Sequence, residues 1–142
     1  MKRSEKYPDT DTFTYVNTNS HNRKSQDCVI RAIAYALSQS WETTVREMTE
    51  MGIKKGYVAN DDWTVDHYLE SKGWIKHKQP RKFDNTKLTM KEFVSFYPNG
   101  LYIVRMAGHL TVVDYGKNVD IWDCVKYGGC AGCYYSKAQG GI

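Results

Sequence analysis

Hydrophobic residues recur at helical spacing through the first two thirds of the chain. In residues 28–37, Ile30, Ile33 and Leu37 fall on one face of a helix. The same spacing, together with residues that favour helix ends, predicts three further helices. These begin after Ser40, after Asn60 or Asp61, and after Thr89, and they end near Gly52, Gly73 and Pro98.

The pattern changes at Gly100, where hydrophobic and β-branched residues become nearly continuous. This composition predicts three strands at 101–106, 109–115 and 119–124, with turns at 107–108 and 116–118. Shorter strands are predicted at 12–16, at 74–78 and around residues 134–135. Helices followed by an antiparallel meander indicate an α+β fold, in which N-terminal helices pack on a C-terminal antiparallel sheet.

The composition is that of one folded domain. A chain of 142 residues with 41% hydrophobic residues can form a core without disulfide bonds. Residues 1–18 are mostly polar and are predicted to be a loose segment. There is no signal-peptide pattern and no hydrophobic run of membrane-spanning length. We therefore expect a cytoplasmic protein that does not bind membranes and whose four cysteines stay reduced.

Cys28 is the strongest candidate for a reactive group. Asp27 is a good N-cap, and Cys28 would then lie in the first turn of a helix, where unpaired N–H groups and the helix dipole favour a thiolate. The dipole contributes about 0.3–1 kcal/mol, which is less than the roughly 1.4 kcal/mol that one pKa unit represents. A nucleophilic Cys28 therefore needs a histidine partner, and without one it is a small buried apolar residue.

Four histidines could be that partner. His21 lies in the polar loop before the helix, His67 on a polar helix and His77 in a basic run. His109 begins a predicted strand, and a strand end holds a general base rigidly. We therefore expect His109 to face Cys28.

The residue that orients His109 depends on the turn between two strands. A three-residue turn at 116–118 puts Asp123 diagonally across from His109, within side-chain reach. In that register Asp114 and Asp120 point to the other face, whereas a two-residue turn would direct Asp123 away. The sequence leaves the register open, and the favoured prediction is the three-residue turn, with Asp123 as the orienting residue.

Three short motifs together resemble a known family. They are Asp-Cys-x-x-Arg-Ala-Ile at 27–33, Gly-His at 108–109 and Trp-Asp at 122–123. Their order is similar to that of papain-like cysteine peptidases, above all the small bacteriocin-processing peptidase domains of ABC exporters. It is also similar to that of small uncharacterised proteins from bacteria and their phages. The resemblance extends from about residue 19 to residue 124.

The resemblance implies a papain-like fold and a site without a cofactor. Cys28 would be the nucleophile, His109 the base and acid, and Asp123 the orienting residue. The family has a glutamine about six residues before the cysteine, which donates to the oxyanion; Asn22 occupies that position here, and Gln26 is the alternative. The substrate would be a peptide or protein, in the cytoplasm of a bacterium or of a phage-infected cell.

A second group of cysteines lies near the C-terminal end of the sequence. Cys130 and Cys133 are spaced as in a zinc knuckle, and Cys124 could be a third ligand. Structural zinc needs four ligands, so we predict no metal site and expect packed or exposed thiols. The alternatives are zinc with a fourth ligand from a histidine or a partner, and a disulfide.

The sequence thus favours cysteine-dependent hydrolysis, or acyl transfer, of a peptide or amide bond. The alternative is a non-catalytic papain-like protein that binds a protein or nucleic acid through a basic face. The net charge is only +4, and much of it comes from residues 72–91. Such a run is more often a solvated surface than a binding site, so nucleic acid is not the favoured partner.

Overall fold

Helices and strands alternate irregularly along the chain. The computed structural model describes residues 1–138, which contain six helices and a six-stranded sheet. The helices are α1 (Arg3–Lys6), α2 (Cys28–Leu37), α3 (Trp41–Ile53), α4 (Asp62–Ser71), α5 (Met90–Phe96) and α6 (Cys124–Tyr127). The strands are β1 (Phe13–Tyr15), β2 (Trp74–His77), β3 (Leu101–Met106), β4 (His109–Asp114), β5 (Lys117–Asp120) and β6 (Tyr134–Lys137). The predicted α+β class is confirmed.

Side-chain caps fix the starts of three helices where the sequence predicts them. Ser40 Oγ accepts a hydrogen bond from the Thr43 N–H at the start of α3, and Asp61 accepts from the Trp63 N–H at the start of α4. Thr89 begins α5 with a capping box. The two four-residue helices, α1 and α6, are not predicted from the sequence.

The strands lie in the order β1-β5-β4-β3-β6-β2. The β3-β4-β5 part is the predicted antiparallel meander, and β6 returns to lie between β3 and β2. Strand β1 pairs with β5 in parallel. The sheet is therefore not purely antiparallel, because β1 pairs in parallel. It is also not purely C-terminal, because it includes β1 and β2.

The turn between β4 and β5 differs from the prediction. Asp114 pairs with Lys117, so the turn contains only Tyr115 and Gly116. Both have positive φ, 47° and 80°, as in the type I′ turns that match the twist of a hairpin. The predicted three-residue turn is wrong, and β5 ends at Asp120 instead of continuing to residue 124.

Hydrophobic clusters cover both faces of the sheet. On one face, side chains of helices α2, α3 and α4 pack into a cluster with the sheet. This cluster includes Ile33 of α2 and Ile103 of β3. Phe93 of α5 packs in a second cluster with Val104, the next residue of β3. Successive side chains of a strand point to opposite faces, so β3 serves both clusters. No helix within residues 1–138 combines the length and the hydrophobicity needed to cross a bilayer.

The first 18 residues, predicted to be loose, make defined contacts. Phe13 of β1 is fully buried. Arg3 Nε donates a hydrogen bond of 2.7 Å to the Ile121 carbonyl oxygen, just beyond β5. These contacts bring the N-terminal segment to the strand that carries Asp120.

Candidate active site

Helix α2 begins at Cys28, as the sequence predicts, but Asp27 does not cap it. The buried Asp27 carboxylate instead accepts hydrogen bonds from Arg31, from Asn19 Nδ2 (3.1 Å) and from Trp41 Nε1 (2.9 Å). The N–H groups in the first turn of α2 therefore have no side-chain cap. They stay available beside the Cys28 thiol.

The structure brings His109 to Cys28. His109 is the first residue of β4, and its Nε2 lies 2.7 Å from Asp120 Oδ2. The Cys28 thiol also lies beside the imidazole, close enough for His109 to lower the pKa of the thiol, and Nδ1 is the ring nitrogen that Asp120 leaves free. One imidazole thus connects the thiol to a carboxylate.

The Asp120 carboxylate is only 6% exposed, and both of its oxygens have hydrogen-bond donors. Oδ2 accepts from His109 and from Thr111 Oγ1 (2.5 Å), while Oδ1 accepts from the Ile121 N–H (2.7 Å). Arg31 Nη2 lies 3.5 Å from Oδ1. Burial opposes the charge, but these donors, above all His109, hold the pKa of Asp120 below its usual range.

The structure contradicts the predicted role of Asp123 as the residue that orients His109. Asp123 Oδ1 accepts from the backbone N–H groups of Val125 and Lys126, both at 3.0 Å, and so caps α6. The shorter turn is the cause, because it shifts the pairing of β5 against β4. Asp120 then comes to the position expected for Asp123.

The charges at the site favour a thiolate and an imidazolium. Burial alone would raise the pKa of Cys28, but contacts with His109 and the Leu110 backbone outweigh it and lower that pKa. The charge of Arg31 acts in the same direction. Burial also disfavours the imidazolium, yet Asp120 and Cys28 raise the pKa of His109 to about 9. Both shifts favour the thiolate–imidazolium pair over the neutral thiol and imidazole.

Arg31 joins the start of α2 to the end of β5. Its buried guanidinium forms ion pairs with Asp27 and Asp120. Its Nε is buried and has no hydrogen-bond partner among residues 1–138. Arg31 supplies the positive charge that two buried carboxylates need in order to stay ionised.

A groove of about 350 Å³ opens beside Cys28 and His109. The Trp122 ring forms part of its wall, with its centroid 5.0 Å from that of the His109 ring. Of the two amides predicted as oxyanion donors, Gln26 lines the groove and Asn22 does not. A substrate carbonyl that reaches the thiol would pass close to Gln26.

Two of the other histidines make contacts of their own. His67 stacks on Trp63 with ring centroids 4.1 Å apart. His77 stacks on Tyr134, and its Nε2 lies 2.6 Å from the hydroxyl oxygen of Ser136. Neither lines the groove beside Cys28.

The cysteines near the C-terminal end do not form the zinc site considered from the sequence. The one group of three potential ligands in residues 1–138 is His109, Asp120 and Cys124, with ligand atoms within 4.8 Å of one another. Cys130 and Cys133 are not part of it. Burial and the Asp120 charge raise the pKa of Cys124 in the metal-free protein. Asp120 Oδ2 already accepts hydrogen bonds from His109 and Thr111, so the group is arranged to orient His109.

The basic run at 72–91 is partly neutralised. Three of its lysines form ion pairs: Lys72 with Glu47 (3.2 Å), Lys76 with Asp66 (2.9 Å) and Lys82 with Glu92 (2.9 Å). The net positive charge that this surface offers to a partner is therefore smaller than the sequence implies.

The site residues predicted from the sequence do not include Arg31, Thr111 or Asn118. Arg31 follows Asp27 by four positions, the spacing of an ion pair on a helix, and this signal could have identified it. Thr111 and Asn118 are buried polar residues on paired strands, and Asn118 Nδ2 donates to Thr111 Oγ1 at 2.9 Å. Two polar residues within hydrophobic strands indicate a buried hydrogen-bond network.

Comparison of the chain with models of protein families, with curated proteins and with solved structures finds no match. A function for this chain therefore has to be inferred from the residues and contacts of the site itself.

Proposed function

We propose that this protein hydrolyses peptide or amide bonds, or transfers their acyl groups, through a thioester on Cys28. The observation that carries the proposal is the pair of contacts made by His109. One ring nitrogen lies 2.7 Å from the buried Asp120 carboxylate, and the imidazole lies beside the Cys28 thiol and lowers its pKa. A nucleophile, a base and a residue that orients the base are the parts that thiol acyl-transfer chemistry requires.

Each group has a defined task in the reaction. The Cys28 thiolate attacks the carbonyl carbon, forming a C–S bond and moving the carbonyl electron pair onto oxygen. When this intermediate collapses, the C–N bond breaks and the leaving amine takes its proton from the His109 imidazolium. Neutral His109 then removes a proton from water, which attacks the thioester and releases the acid and the Cys28 thiolate. In acyl transfer, an amine takes the place of water.

The oxyanion would be stabilised by donors at the start of α2. The backbone N–H of Cys28 lies in the uncapped first turn, at the positive end of the helix dipole. Gln26, which lines the groove, would be the side-chain donor. Asp120 would hold the imidazole in the tautomer and orientation that serve Cys28 and would stabilise the imidazolium.

We further propose that the fold is papain-like and that the protein acts in the cytoplasm of a bacterium or of a phage-infected cell. A helix that begins with the cysteine and packs on an antiparallel strand that begins with the histidine supports the fold. The four cysteines are free thiols, which is consistent with a reducing compartment. The substrate would be a peptide or protein, and no cofactor is needed.

An acylating substrate tests the proposal directly. The protein is mixed with p-nitrophenyl acetate at pH 7, and nitrophenol release and acetylated cysteines are followed by absorbance and peptide mass spectrometry. We expect rapid acetylation of Cys28 and continued release beyond one equivalent, and we expect Cys28→Ser to abolish both. Cys130→Ser is the matched control, because Cys130 is an exposed thiol outside the site. Acetylation of Cys28 no faster than that of Cys130 would contradict the proposal.

A further inference from the structure

The charged side chains on the solvent side of the groove beside Cys28 are all positive. Arg3 and Lys24 line it, and no aspartate or glutamate of residues 1–138 does so. Lys24 forms no ion pair within this part of the chain, since the ion pairs found there involve other residues. The groove therefore offers unpaired positive charge next to the nucleophile.

The cationic wall is held in place by the N-terminal segment. Arg3 is fixed through Nε, which donates to the Ile121 carbonyl oxygen at 2.7 Å. Its guanidinium carbon lies 5.2 Å from the centre of the Tyr7 ring, and Lys6 Nζ lies 5.5 Å from the same ring. Tyr7 thus forms an apolar surface beside two cations.

More positive charge surrounds this wall. The Tyr127 ring packs edge-on against Tyr7 with centroids 5.7 Å apart, and Lys126 Nζ lies 5.3 Å from the centre of the Tyr127 ring. On the other side, Trp122 presents a second aromatic surface beside His109. The groove therefore combines flat aromatic walls with a positive rim.

Two nearby carboxylates do not cancel this field. Asp27 and Asp120 are each only 6% exposed, and both form ion pairs with the buried Arg31. Their charges are directed into the protein, whereas Lys24 is exposed to solvent. The positive charges of Arg31 and of the His109 imidazolium offset these two carboxylates, so Arg3 and Lys24 remain the uncompensated charges on the groove.

We propose that the groove binds an acidic peptide segment, whose carboxylates pair with Lys24 and Arg3 while its apolar atoms contact Tyr7 and Trp122. This inference rests on the proposed function, because it names the substrate class of the same site. The bond attacked by Cys28 would lie beside an aspartate or glutamate of the substrate. A positive groove would also speed the approach of such a segment.

Two affinity labels that differ in one charge test the inference. They are dipeptide chloromethyl ketones of identical sequence, except that one has a glutamate side chain where the other has glutamine. The rate at which each alkylates Cys28 is measured by mass spectrometry, and the ratio of the two rates is the readout. Because both labels react with the same thiol, the ratio cancels any change in the thiolate fraction.

The variants isolate the charge of Lys24. We expect the wild type to prefer the glutamate label, Lys24→Gln to reduce the ratio by roughly twofold to fivefold, and Lys24→Glu to reverse the preference. Lys24→Arg should restore the ratio because it keeps the positive charge. Lys54→Gln, a change of an exposed lysine outside the groove, should leave the ratio unchanged. The preference of the wild type should also shrink in 1 M salt.

The outcomes separate the inference from the function on which it rests. If both labels react rapidly with Cys28 and the ratio is insensitive to Lys24 and to salt, the acidic-substrate inference is overturned and the proposed function stands. If neither label modifies Cys28 faster than the exposed Cys130, the proposed function fails and the inference fails with it.

Discussion

Cys28 and Cys124 both lie close to the His109–Asp120 pair, but the charges that face the two thiols differ. Cys28 contacts the imidazole, and the pKa of its thiol is lowered despite burial. Cys124 is completely buried, and its Sγ lies 3.5 Å from Asp120 Oδ2. Burial and that carboxylate raise the pKa of Cys124. One carboxylate thus favours a thiolate when it acts through a histidine and disfavours one when it faces the thiol directly.

Removing the imidazole should make Cys28 as unreactive as Cys124, and this is the largest effect we expect. His109→Ala removes the cation that stabilises the thiolate. We expect the rate of alkylation by iodoacetamide at pH 6 to fall by about 10²-fold or more, within the range that a general base contributes. Peptide mass spectrometry after timed quenching measures the rate.

His67→Ala is the matched control for this measurement, because His67 stacks on Trp63 outside the groove. The rate at which Cys28 is labelled in His67→Ala should equal the rate in the wild type. A His109→Ala protein that keeps the labelling rate of the wild type would show that Cys28 owes its reactivity to some other group.

Asp120→Asn sharpens the comparison by neutralising the carboxylate that both thiols share. The pKa of His109 should fall towards its ordinary value, and the pKa of Cys28 should rise. One pKa unit changes the thiolate fraction about tenfold, so we expect labelling of Cys28 at pH 6 to slow by roughly tenfold. The rate is measured against pH, because a shift of the profile distinguishes this cause from a change in access.

Asp123→Asn provides the control for Asp120→Asn. The sequence predicted that Asp123 orients His109, but its carboxylate caps α6. The labelling rate of Cys28 in Asp123→Asn, plotted against pH, should superimpose on the wild-type curve. A shift as large as that of Asp120→Asn would return Asp123 to the site.

The pH dependence of stability should expose the paired charges. The folded pKa of His109 is raised to about 9, so its stabilising contribution is complete below about pH 6.5 and is lost as the pH rises through about 9. The lowered pKa of Cys28 gives a contribution that grows as the pH rises towards the thiol value of the unfolded chain, about 9. In the wild type, the His109 contribution to stability is lost as the pH rises while the Cys28 contribution grows, so the two changes oppose each other.

Cys28→Ser removes the Cys28 contribution and leaves the part of the His109 contribution that Asp120 causes. We expect its free energy of unfolding to fall by about 1–2 kcal/mol between pH 6.5 and pH 9, while that of the wild type changes less. Urea unfolding with reductant present, at several pH values, measures both. Parallel curves for the two proteins would argue against a thiolate–imidazolium pair.

The smallest effect concerns the cap of α6. Asp123→Ala removes an acceptor from the Val125 and Lys126 N–H groups, so the free energy of unfolding should fall by about 1 kcal/mol. Urea unfolding at pH 7 measures the change. Thiol labelling of Cys28 should not change, and a loss of labelling without a loss of stability would contradict the capping role.

The helices and their caps could be predicted because each signal is local. Ser40, Asp61 and Thr89 precede hydrophobic helical patterns and cap them as expected. The start of α2 at Cys28 and that of β4 at His109 follow from similar local patterns. That these two residues come together was predicted from the place of His109 at a strand end and from a resemblance in motif order, because local patterns alone do not pair distant residues.

Asp120 could not be predicted because nothing local fixes the register of β4 and β5. Val112 and Val113 are both fully buried, so the strand lacks the alternation that would show which face is inside. The turn is Tyr115-Gly116, and tyrosine is an uncommon residue at positive φ. Two signals would select a two-residue turn: a clear alternation of buried and exposed residues, and a first turn residue that favours positive φ. Both are weak in this sequence.

The parallel pairing of β1 with β5 has a consequence for synthesis on the ribosome. Thr14 pairs with Val119, so β1 leaves the exit tunnel long before its partner strand exists. Cys28 likewise emerges well before His109 and Asp120 have been translated. A nascent chain therefore carries an ordinary thiol at this position. Under the proposed function, the Cys28 thiol would be activated only after translation has passed β5, so the unfinished chain would be protected from its own chemistry.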